Sequence, residues 1–377
     1  MPRGKIELCN KVESLSILDP DGNVDAALDP KLEPHELRKL LRGLLVARRY
    51  DERMLKLQRQ GRIGTYGPAL GQEAASLGPA YVLAKTDWFV PSFREPAAMI
   101  YRGWPIEKLI LWWGGNEYGA TVPKDLRDLP ICVPVSSQCL YAAGVAWGCK
   151  LRKDGSAVIC FLGDGGTSEG DFHEAMNVAG TFKLPLVFVI QNNQWAISLP
   201  RAKQCASATL AQKCLGYGFD GIQADGNDIL AMIVAAGEGL ARAKSGGGPT
   251  LIEAITYRLG VHTTADDPKK YRKDEEVEEW KARDPLSRFY KYLKKRQIMD
   301  DKARDLLEEE ISREITEAIE KAEKFEPNVT EPFQHCFATL PNHLEAQLAE
   351  FQAYLEVGSN GDGNSTGQDS QVYRSVH

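Results

Sequence analysis

Residues 157–193, AVICFLGDGGTSEGDFHEAMNVAGTFKLPLVFVIQNN, contain two short apolar runs, each followed by a polar cluster. The runs at 157–162 and 186–190 have the length and composition of strands that are buried on both faces. The segment between them, 168–182, is predicted to be a helix with acidic residues in its first turn. A strand, a helix and a second strand in this order predict a parallel pair joined by a right-handed crossover.

The same alternation continues on both sides of this unit. We therefore predict an α/β protein with a parallel sheet flanked by helices, followed by a C-terminal helical extension. Further helices are predicted at 33–60, 72–84, 207–215, 229–244 and 302–324, extended segments at 88–91, 221–224 and 250–257, and loops at 64–71 and 114–139.

One large domain is expected over residues 31–345. Residues 1–30 are expected to form an irregular N-terminal arm, because they carry turn signals. Residues 346–377 are expected to form a C-terminal segment that ends in a disordered tail, since the composition beyond 358 is mostly Gly, Ser, Asn, Asp and Gln.

Composition excludes several classes of protein. The chain of 377 residues has 46 Lys and Arg against 52 Asp and Glu, and a net charge of −6 argues against a general nucleic-acid binder. No apolar run reaches the roughly 18 residues that a membrane span requires. The eight cysteines include no C-x-x-C pair, and Cys160 is expected to be a buried small side chain. We expect a cytoplasmic protein.

Two polar clusters follow the two central strands, and ligands of parallel sheets bind at such carboxyl ends. Asp164 and Asn193 are 193 − 164 = 29 residues apart, one strand–helix–strand unit. This spacing places a carboxylate and an amide oxygen side by side, a combination that suits Mg²⁺ shared with substrate phosphates. A dinucleotide-binding oxidoreductase would need a third glycine where Ser168 stands, which opposes that alternative.

Residues 163–198 resemble the alpha subunit of the thiamine diphosphate-dependent 2-oxo acid dehydrogenases. Three further segments resemble the same family: GRIGTYGPALGQEAASLGPAYVL (61–83), FREPAAMIYRG (93–103) and the long segment that begins TYRLGVHTTADD (256–289). The similarity runs from about residue 30 to about residue 345, and it implies the thiamine diphosphate-binding fold.

The resemblance also implies roles for individual residues. Mg²⁺ would be bound by Asp164, the side chain of Asn193 and the carbonyl of Trp195. Arg94 would pair with the diphosphate, and His262 would move protons near the reacting carbon or the lipoyl group. Arg258 would anchor the loop that carries His262. The remaining cofactor contacts implied are Phe93, Val135, Ser137, Gly163, Gly165 and Gly166, and Ser137 with Gln138 would bind a monovalent cation such as K⁺.

Two positions depart from the family pattern. Phe93 stands where relatives usually have Tyr, so one phosphate contact worth about 1 kcal/mol would be lost. Tyr118 stands where many pyruvate-type relatives have His, and a phenol is a poor base near neutrality. The neighbouring pair Trp112 and Trp113 fits either the substrate entrance or the core of the preceding helix.

The resemblance places the second half of the cofactor site on a separate beta subunit, in an α₂β₂ enzyme. Such an enzyme decarboxylates a 2-oxo acid and passes the acyl group to a lipoyl-bearing acyltransferase component. Pyruvate is the first expectation for the substrate, followed by branched-chain 2-oxo acids and then acetoin. A catalytically silent assembly subunit is the alternative from another class. The charged segment 266–284 fits a solvated surface or a guide for the lipoyl domain.

Overall fold

The computed structural model describes residues 9–360 of the chain. Its strands are β1 (Val12–Leu15), β2 (Trp88–Val90), β3 (Val158–Gly163), β4 (Leu186–Asn192), β5 (Trp195–Ala196), β6 (Leu199–Pro200), β7 (Gly221–Asp225) and β8 (Thr250–Ile255). Six of them form one sheet in the order β1–β7–β8–β4–β3–β2, and every neighbouring pair is parallel. The expected α/β architecture is confirmed.

Thirteen α-helices among the described residues surround the sheet: α1 (Pro34–Arg59), α2 (Glu73–Val82), α3 (Pro96–Arg102), α4 (Ile106–Trp113), α5 (Ser137–Arg152), α6 (Gly170–Thr181), α7 (Arg201–Gln204), α8 (Ile229–Lys244), α9 (Asp274–Lys281), α10 (Pro285–Lys295), α11 (Asp301–Glu323), α12 (Glu331–Gln334) and α13 (Asn342–Asn360). Short 3-10 helices lie at Glu117–Ala120, Gly165–Ser168, Ala211–Tyr217 and Pro268–Lys270.

The sheet separates two hydrophobic cores. Along β3, Ile159 and Phe161 point into the larger core, which includes buried residues of α1, α2, α8 and α11. Val158, Cys160 and Leu162 point to the opposite side, against α5 and α6. Successive strand side chains alternate between faces, so a strand covered on both sides is apolar at every position. Cys160 is fully buried, as expected.

The register of the three central strands aligns their carboxyl ends. Gly163 of β3 lies opposite Gln191 of β4, and Asn192 of β4 lies opposite Ile255 of β8. The chain therefore leaves β3, β4 and β8 at nearly the same level. The segments that begin at Asp164 and Asn193 meet the segment after β8 at one edge.

Two predictions about the N-terminal half need correction. Within the arm expected to be irregular, β1 pairs with β7 and forms one edge of the sheet. Its four residues, VESL, are too few and too polar to stand out as a strand pattern. The segment 114–139, expected to be a loop, already contains a 3-10 turn and the start of α5 at Ser137.

Two helix predictions near the central strands were also inexact. The helix expected from residue 168 begins at Gly170, because a 3-10 turn intervenes. The helix expected at 207–215 was wrong: a short helix ends at Gln204 and a 3-10 helix begins at Ala211.

Near the C-terminus, α13 crosses the expected domain limit at residue 345. Residues 361–377, which hold most of the predicted disordered tail, lie outside the described residues. None of the helices described is both long and apolar enough to cross a membrane.

The carboxylate of Asp228 joins the N-terminal arm to the rest of the domain. Its Oδ1 caps α8 by accepting from the N–H groups of Leu230 and Ala231, at 3.0 and 3.2 Å. Its Oδ2 accepts from the N–H groups of Ile17 and Leu18, at 2.7 and 2.6 Å. All four hydrogen bonds are buried, so one carboxylate binds backbone N–H groups of both the N-terminal arm and α8.

We expect Asp228→Ala to lower the free energy of unfolding by about 3 kcal/mol, since a helix cap is lost and two buried N–H groups of the arm become unpaired. Chemical denaturation measures this change. Asp300→Ala is a matched control, because Asp300 caps only α11 at the surface, and it should cost about 1 kcal/mol. Equal losses in the two variants would contradict the proposed link to the arm.

Candidate functional site

Asp164 follows β3 directly and is only 1% exposed. Burial raises the pKa of its carboxyl to about 6, although the nearby backbone N–H of Asn193 acts in the opposite direction. Its Oδ2 is buried and has no hydrogen-bond partner among the described residues. A buried carboxylate oxygen without a donor is costly unless a cation occupies the space before it.

Asn193 follows β4, and its side chain is held on both sides. Its Nδ2 donates to Oε1 of Gln72 at 3.0 Å, and its Oδ1 accepts from the N–H of Trp195 at 3.2 Å. Gln72 is fully buried at the start of α2. It binds the Nδ2 end of the Asn193 amide, so the Oδ1 end faces away from Gln72. The carbonyl of Trp195 accepts from Nη1 of Arg258 at 3.3 Å. Because the backbone N–H of Asn193 also acts on the Asp164 carboxyl, the three predicted metal ligands are close neighbours.

Within residues 9–360 no cluster of three or more His, Cys, Asp or Glu side chains is arranged to bind a metal ion. A set of one carboxylate, one amide oxygen and one carbonyl is of a different kind. Such neutral and singly charged oxygen donors leave room for phosphate and water in an octahedral Mg²⁺ shell.

The glycine turn after β3 is packed too tightly for side chains at two positions. A Cβ at Gly166 would lie 2.4 Å from Oγ of Ser136, and one at Gly165 would lie 2.9 Å from Cβ of Ala196. Ser136 adopts a left-handed backbone conformation, with φ of 69°, and its hydroxyl donates to the carbonyl of Gly166 at 2.7 Å. Strain of this kind in a non-glycine residue is characteristic of binding sites. Gln204 donates to the carbonyls of Asp164 and Gly165 from the other side.

Arg94 is buried beside the segment that follows β8. Its guanidinium donates to the carbonyl of Pro68 and, at 3.0 Å, to the carbonyl of His262. Burial, followed by the nearby Arg258, lowers the pKa of Arg94 to about 10. Neither arginine forms an ion pair with a carboxylate among the described residues. Two close guanidinium groups without an ion pair favour the binding of an anion.

His262 lies in the loop of residues 259–267, here named the histidine loop. Its Nδ1 is 3.2 Å from Nη2 of Arg94 and 3.2 Å from Nη1 of Arg258. Because a guanidinium only donates, Nδ1 accepts and the ring proton of the neutral imidazole is on Nε2. Burial and the two cations lower the pKa of His262 to about 4. The imidazole is therefore a neutral Nε2–H donor near pH 7.

The histidine loop is held at its base. The N–H of His262 donates to Asp266 at 2.8 Å, and the hydroxyl of Tyr271 donates to the same carboxylate at 2.6 Å. Arg258 donates to the carbonyl of Ile197 at 2.7 Å and contacts the Tyr271 hydroxyl at 2.8 Å. Since Arg258 also lies 3.2 Å from Nδ1 of His262, it contacts both the loop and the residues beside it.

The other predicted cofactor residues lie around this centre with different partners. The guanidinium of Arg94 lies 5.2 Å from the ring centroid of Phe93. Val135 is half exposed beside Gly166. Ser137 contacts Asp171 at 3.2 Å.

The proposed monovalent-cation pair does not share one set of contacts. Gln138 donates inward to the carbonyl of Phe161 at 2.8 Å, whereas Ser137 is directed to α6. Oε1 of Gln138 is buried and has no partner among the described residues. The K⁺ site remains a prediction.

The structure places the three aromatic residues Tyr118, Trp112 and Trp113 in different surroundings. Tyr118 stacks on Phe325 with centroids 4.8 Å apart, so its ring is engaged by the segment after α11. Trp113 packs against the larger core and edge-on to Tyr66 at 4.9 Å. This favours the core interpretation for Trp113, while Trp112 contacts it edge-on at 4.5 Å.

Sequence reasoning missed Gln72, Ser136 and Gln204, although each contacts a predicted ligand or the glycine turn. Gln72 begins the helix predicted at 72–84, and a polar residue at the start of an apolar helix is the available signal. Ser136 and Gln204 carry no sequence signal, because a left-handed serine and a distant capping amide are visible only in three dimensions.

The chain is similar to known proteins over most of its length. The profile of the dehydrogenase E1 component family matches residues 42–330. The chain is 44% identical to a pyruvate dehydrogenase E1 component subunit alpha of Acholeplasma laidlawii over 342 residues, which covers 90% of this chain and 99% of that protein. It is 40% identical to the corresponding subunit of Staphylococcus aureus (strain COL) over 353 residues, 93% of this chain and 95% of that protein.

A relative with another named substrate is similarly close. The chain is 40% identical to a 3-methyl-2-oxobutanoate dehydrogenase subunit alpha of Mycobacterium tuberculosis (strain ATCC 25618 / H37Rv) over 353 residues. This similarity covers 91% of this chain and 95% of that protein.

The lowered pKa of His262 has a consequence for stability. Between about pH 4 and pH 6.5 the folded chain binds fewer protons at this histidine than the unfolded chain. The free energy of unfolding should therefore fall as the pH falls through this window, and His262→Gln should weaken that dependence. Urea denaturation at about pH 5 and about pH 7.5 measures the difference. Equal pH dependence in the variant and the unmodified chain would contradict the assignment.

Proposed function

Because the chain belongs to the dehydrogenase E1 component family, we propose that it is the alpha subunit of a thiamine diphosphate-dependent 2-oxo acid dehydrogenase, with pyruvate as its substrate. The observation that carries the cofactor assignment is the unpartnered, buried Oδ2 of Asp164 beside Asn193. It lies at the edge of the sheet to which Arg94 and Arg258 bring two positive charges without an ion pair. The domain limits and the cytoplasmic location expected from the sequence remain predictions.

The metal site would consist of Asp164, Oδ1 of Asn193 and the carbonyl of Trp195. Burial disfavours the ionised form of Asp164 in the isolated chain, and a bound Mg²⁺ would favour it by direct charge attraction. Gln72 keeps Nδ2 of Asn193 turned to itself, which leaves Oδ1 as the ligand. These residues fit a hard divalent cation.

The diphosphate would lie between the glycine turn and Arg94. Backbone N–H groups of Gly165 and Gly166 would donate to phosphate oxygens, since glycine has no side chain to keep a ligand away from the backbone. The guanidinium of Arg94 is pre-positioned by Pro68 and the His262 carbonyl, so little side-chain freedom is lost on binding. Arg258 adds a second positive charge at the same place.

Thiamine diphosphate supplies the carbon nucleophile and the electron sink for decarboxylation when it is bound. The chain's own contribution near the reacting carbon is His262, which presents Nε2–H as a donor. Burial and the two arginines keep the imidazole neutral at physiological pH, so it donates a hydrogen bond without adding a positive charge. This arrangement is suited to the carboxylate or carbonyl oxygen of a 2-oxo acid.

A beta subunit would complete the site. The described residues contain one parallel sheet, and its edge provides the metal and diphosphate contacts. The contacts to the aminopyrimidine ring, including an activating glutamate, would come from the partner in an α₂β₂ enzyme. A lipoyl-bearing acyltransferase would then receive the acyl group.

Branched-chain 2-oxo acids are the second candidate for the substrate. Relatives named for pyruvate and for 3-methyl-2-oxobutanoate are similarly distant from this chain, at 44% and 40% identity. Acetoin is the third candidate. A silent assembly subunit is opposed by the intact set of Asp164, Asn193 and His262.

We expect Asp164→Ala to weaken Mg²⁺-dependent binding of thiamine diphosphate by at least about 100-fold, since loss of an outer-shell partner alone weakens metal sites by 10–100-fold. Isothermal titration of the chain co-expressed with its beta subunit measures this. Glu169→Ala is the matched control, an exposed carboxylate at the end of the same turn, and it should bind normally. Equal binding by Asp164→Ala and the unmodified chain would contradict the assignment.

The same complex distinguishes the substrates. We expect faster release of CO₂ from pyruvate than from 3-methyl-2-oxobutanoate, and no cleavage of acetoin. The reverse order would favour the branched-chain candidate. Cofactor binding without turnover of any of the three would favour the silent subunit.

A further inference from the structure

Residues 64–71, here named the Tyr66 loop, join α1 to α2 and contact both Arg94 and the histidine loop. Pro68 accepts from the guanidinium of Arg94 through its carbonyl. The carbonyl of Tyr66 accepts from the N–H of Thr264 at 2.9 Å, and the N–H of Tyr66 donates to Oγ1 of Thr264 at 3.1 Å. Thr264 is two residues from the imidazole, so the Tyr66 loop holds the two functional groups against each other.

Further along, the same loop contacts the segment where the histidine loop begins. The N–H of Leu259 donates to the carbonyl of Leu70 at 3.1 Å, and the hydroxyl of Thr256 donates to the carbonyl of Gly71 at 2.9 Å. The path of the histidine loop therefore follows the path of the Tyr66 loop over several residues.

The side chain that fixes the Tyr66 loop to the core is Asp51 on α1. It is 1% exposed, and its Oδ1 accepts a short hydrogen bond from the hydroxyl of Tyr66. The Tyr66 ring lies edge-on to Tyr50 and to Trp113, with centroids 6.2 and 4.9 Å apart. The ring is thus held by packing on its sides and by Asp51 at its tip.

Burying the carboxyl of Asp51 costs desolvation free energy, so stability alone does not explain an aspartate at this position. The nearby Arg48 is engaged by Glu73 at 2.5 Å and by Asp284 at 2.7 Å. No ion pair among the described residues includes Asp51, and its Oδ2 has no partner there. Burial raises the pKa of this carboxyl to about 7. A neutral side chain would avoid this desolvation cost.

We propose that Asp51 is a positioning residue for this site: it binds the hydroxyl of Tyr66, and the Tyr66 loop then fixes Arg94 and the histidine loop in their binding geometry. The importance of Arg94 and His262 for catalysis rests on the proposed function. The chain of contacts from Asp51 to the histidine loop is independent of the proposed function.

The first test is hydrogen–deuterium exchange on the cofactor-free enzyme with its beta subunit. Tyr66→Phe keeps the ring and removes only the hydroxyl, and Asp51→Ala removes the carboxylate that accepts from this hydroxyl. We expect backbone amides of residues 259–267 to exchange about 10-fold faster in each variant, because the loop opens locally, while amides of β3 and β4 are unchanged. Asp87→Asn is the matched control, because Asp87 is a fully buried carboxylate that accepts from the N–H of Ala157 just before β3, and it should leave exchange of residues 259–267 unchanged.

The second test is cofactor saturation with thiamine diphosphate and Mg²⁺. Both variants should raise the apparent KM for the cofactor by about 10-fold, as expected when an outer-shell partner is lost, and kcat at saturation should stay within about 3-fold. The double variant should be no worse than the worse single variant, because both remove one interaction.

Some outcomes would overturn the inference. If Asp51→Ala and Tyr66→Phe lower Tm as Asp87→Asn does, yet leave loop exchange and the cofactor KM unchanged, Asp51 has only a structural role. If the unmodified enzyme fails to bind thiamine diphosphate, the proposed function is wrong, and the exchange measurement on the cofactor-free protein still decides the role of Asp51.

Discussion

The parallel register of β3, β4 and β8 is the constraint on which the rest of the site depends. These strands end at the same level, so Asp164, Asn193 and the histidine loop reach one edge although they are far apart in the chain. Each strand is buried on both faces, which leaves its carboxyl end as the place where polar groups can meet solvent and ligand. A slip of one residue between β3 and β4 would separate Asp164 from Asn193 and exchange the faces of the core side chains on the shifted strand.

At this edge of the sheet the charged side chains have pKa values that are shifted from their ordinary ones. Burial raises the pKa of Asp164 to about 6 and lowers that of Arg94 to about 10, so each is disfavoured in its charged form in the isolated chain. A divalent cation next to Asp164 would favour the ionised carboxylate, and a diphosphate next to Arg94 would favour the charged guanidinium. The neutral His262 belongs to the same balance, because two guanidinium groups beside its Nδ1 oppose its protonation.

Much of the fold could be predicted where a local pattern carries the information. The apolar runs that became β3 and β4 were recognised from composition alone, and α8 was predicted with the limits it has, because Asp228 is a recognisable cap. The helix expected at 207–215 failed for a tertiary reason. There the N–H groups of Leu210 and Ala211 donate to the buried carboxylate of Glu253, at 2.9 and 3.0 Å. No local pattern indicates that partner, which lies 42 to 43 residues away on β8.

The sequence by itself determined the buried strands, the crossover helix between them and the polar clusters that follow at a spacing of one strand–helix–strand unit. These features follow from short-range periodicity, and periodicity reports which faces are buried. Only the tertiary structure decided that Gln72 orients Asn193, that Arg94 and Arg258 share one imidazole nitrogen, and that Asp51 holds Tyr66. Those contacts join side chains from separate elements. Their geometry depends on how the elements pack against each other, which no single segment encodes.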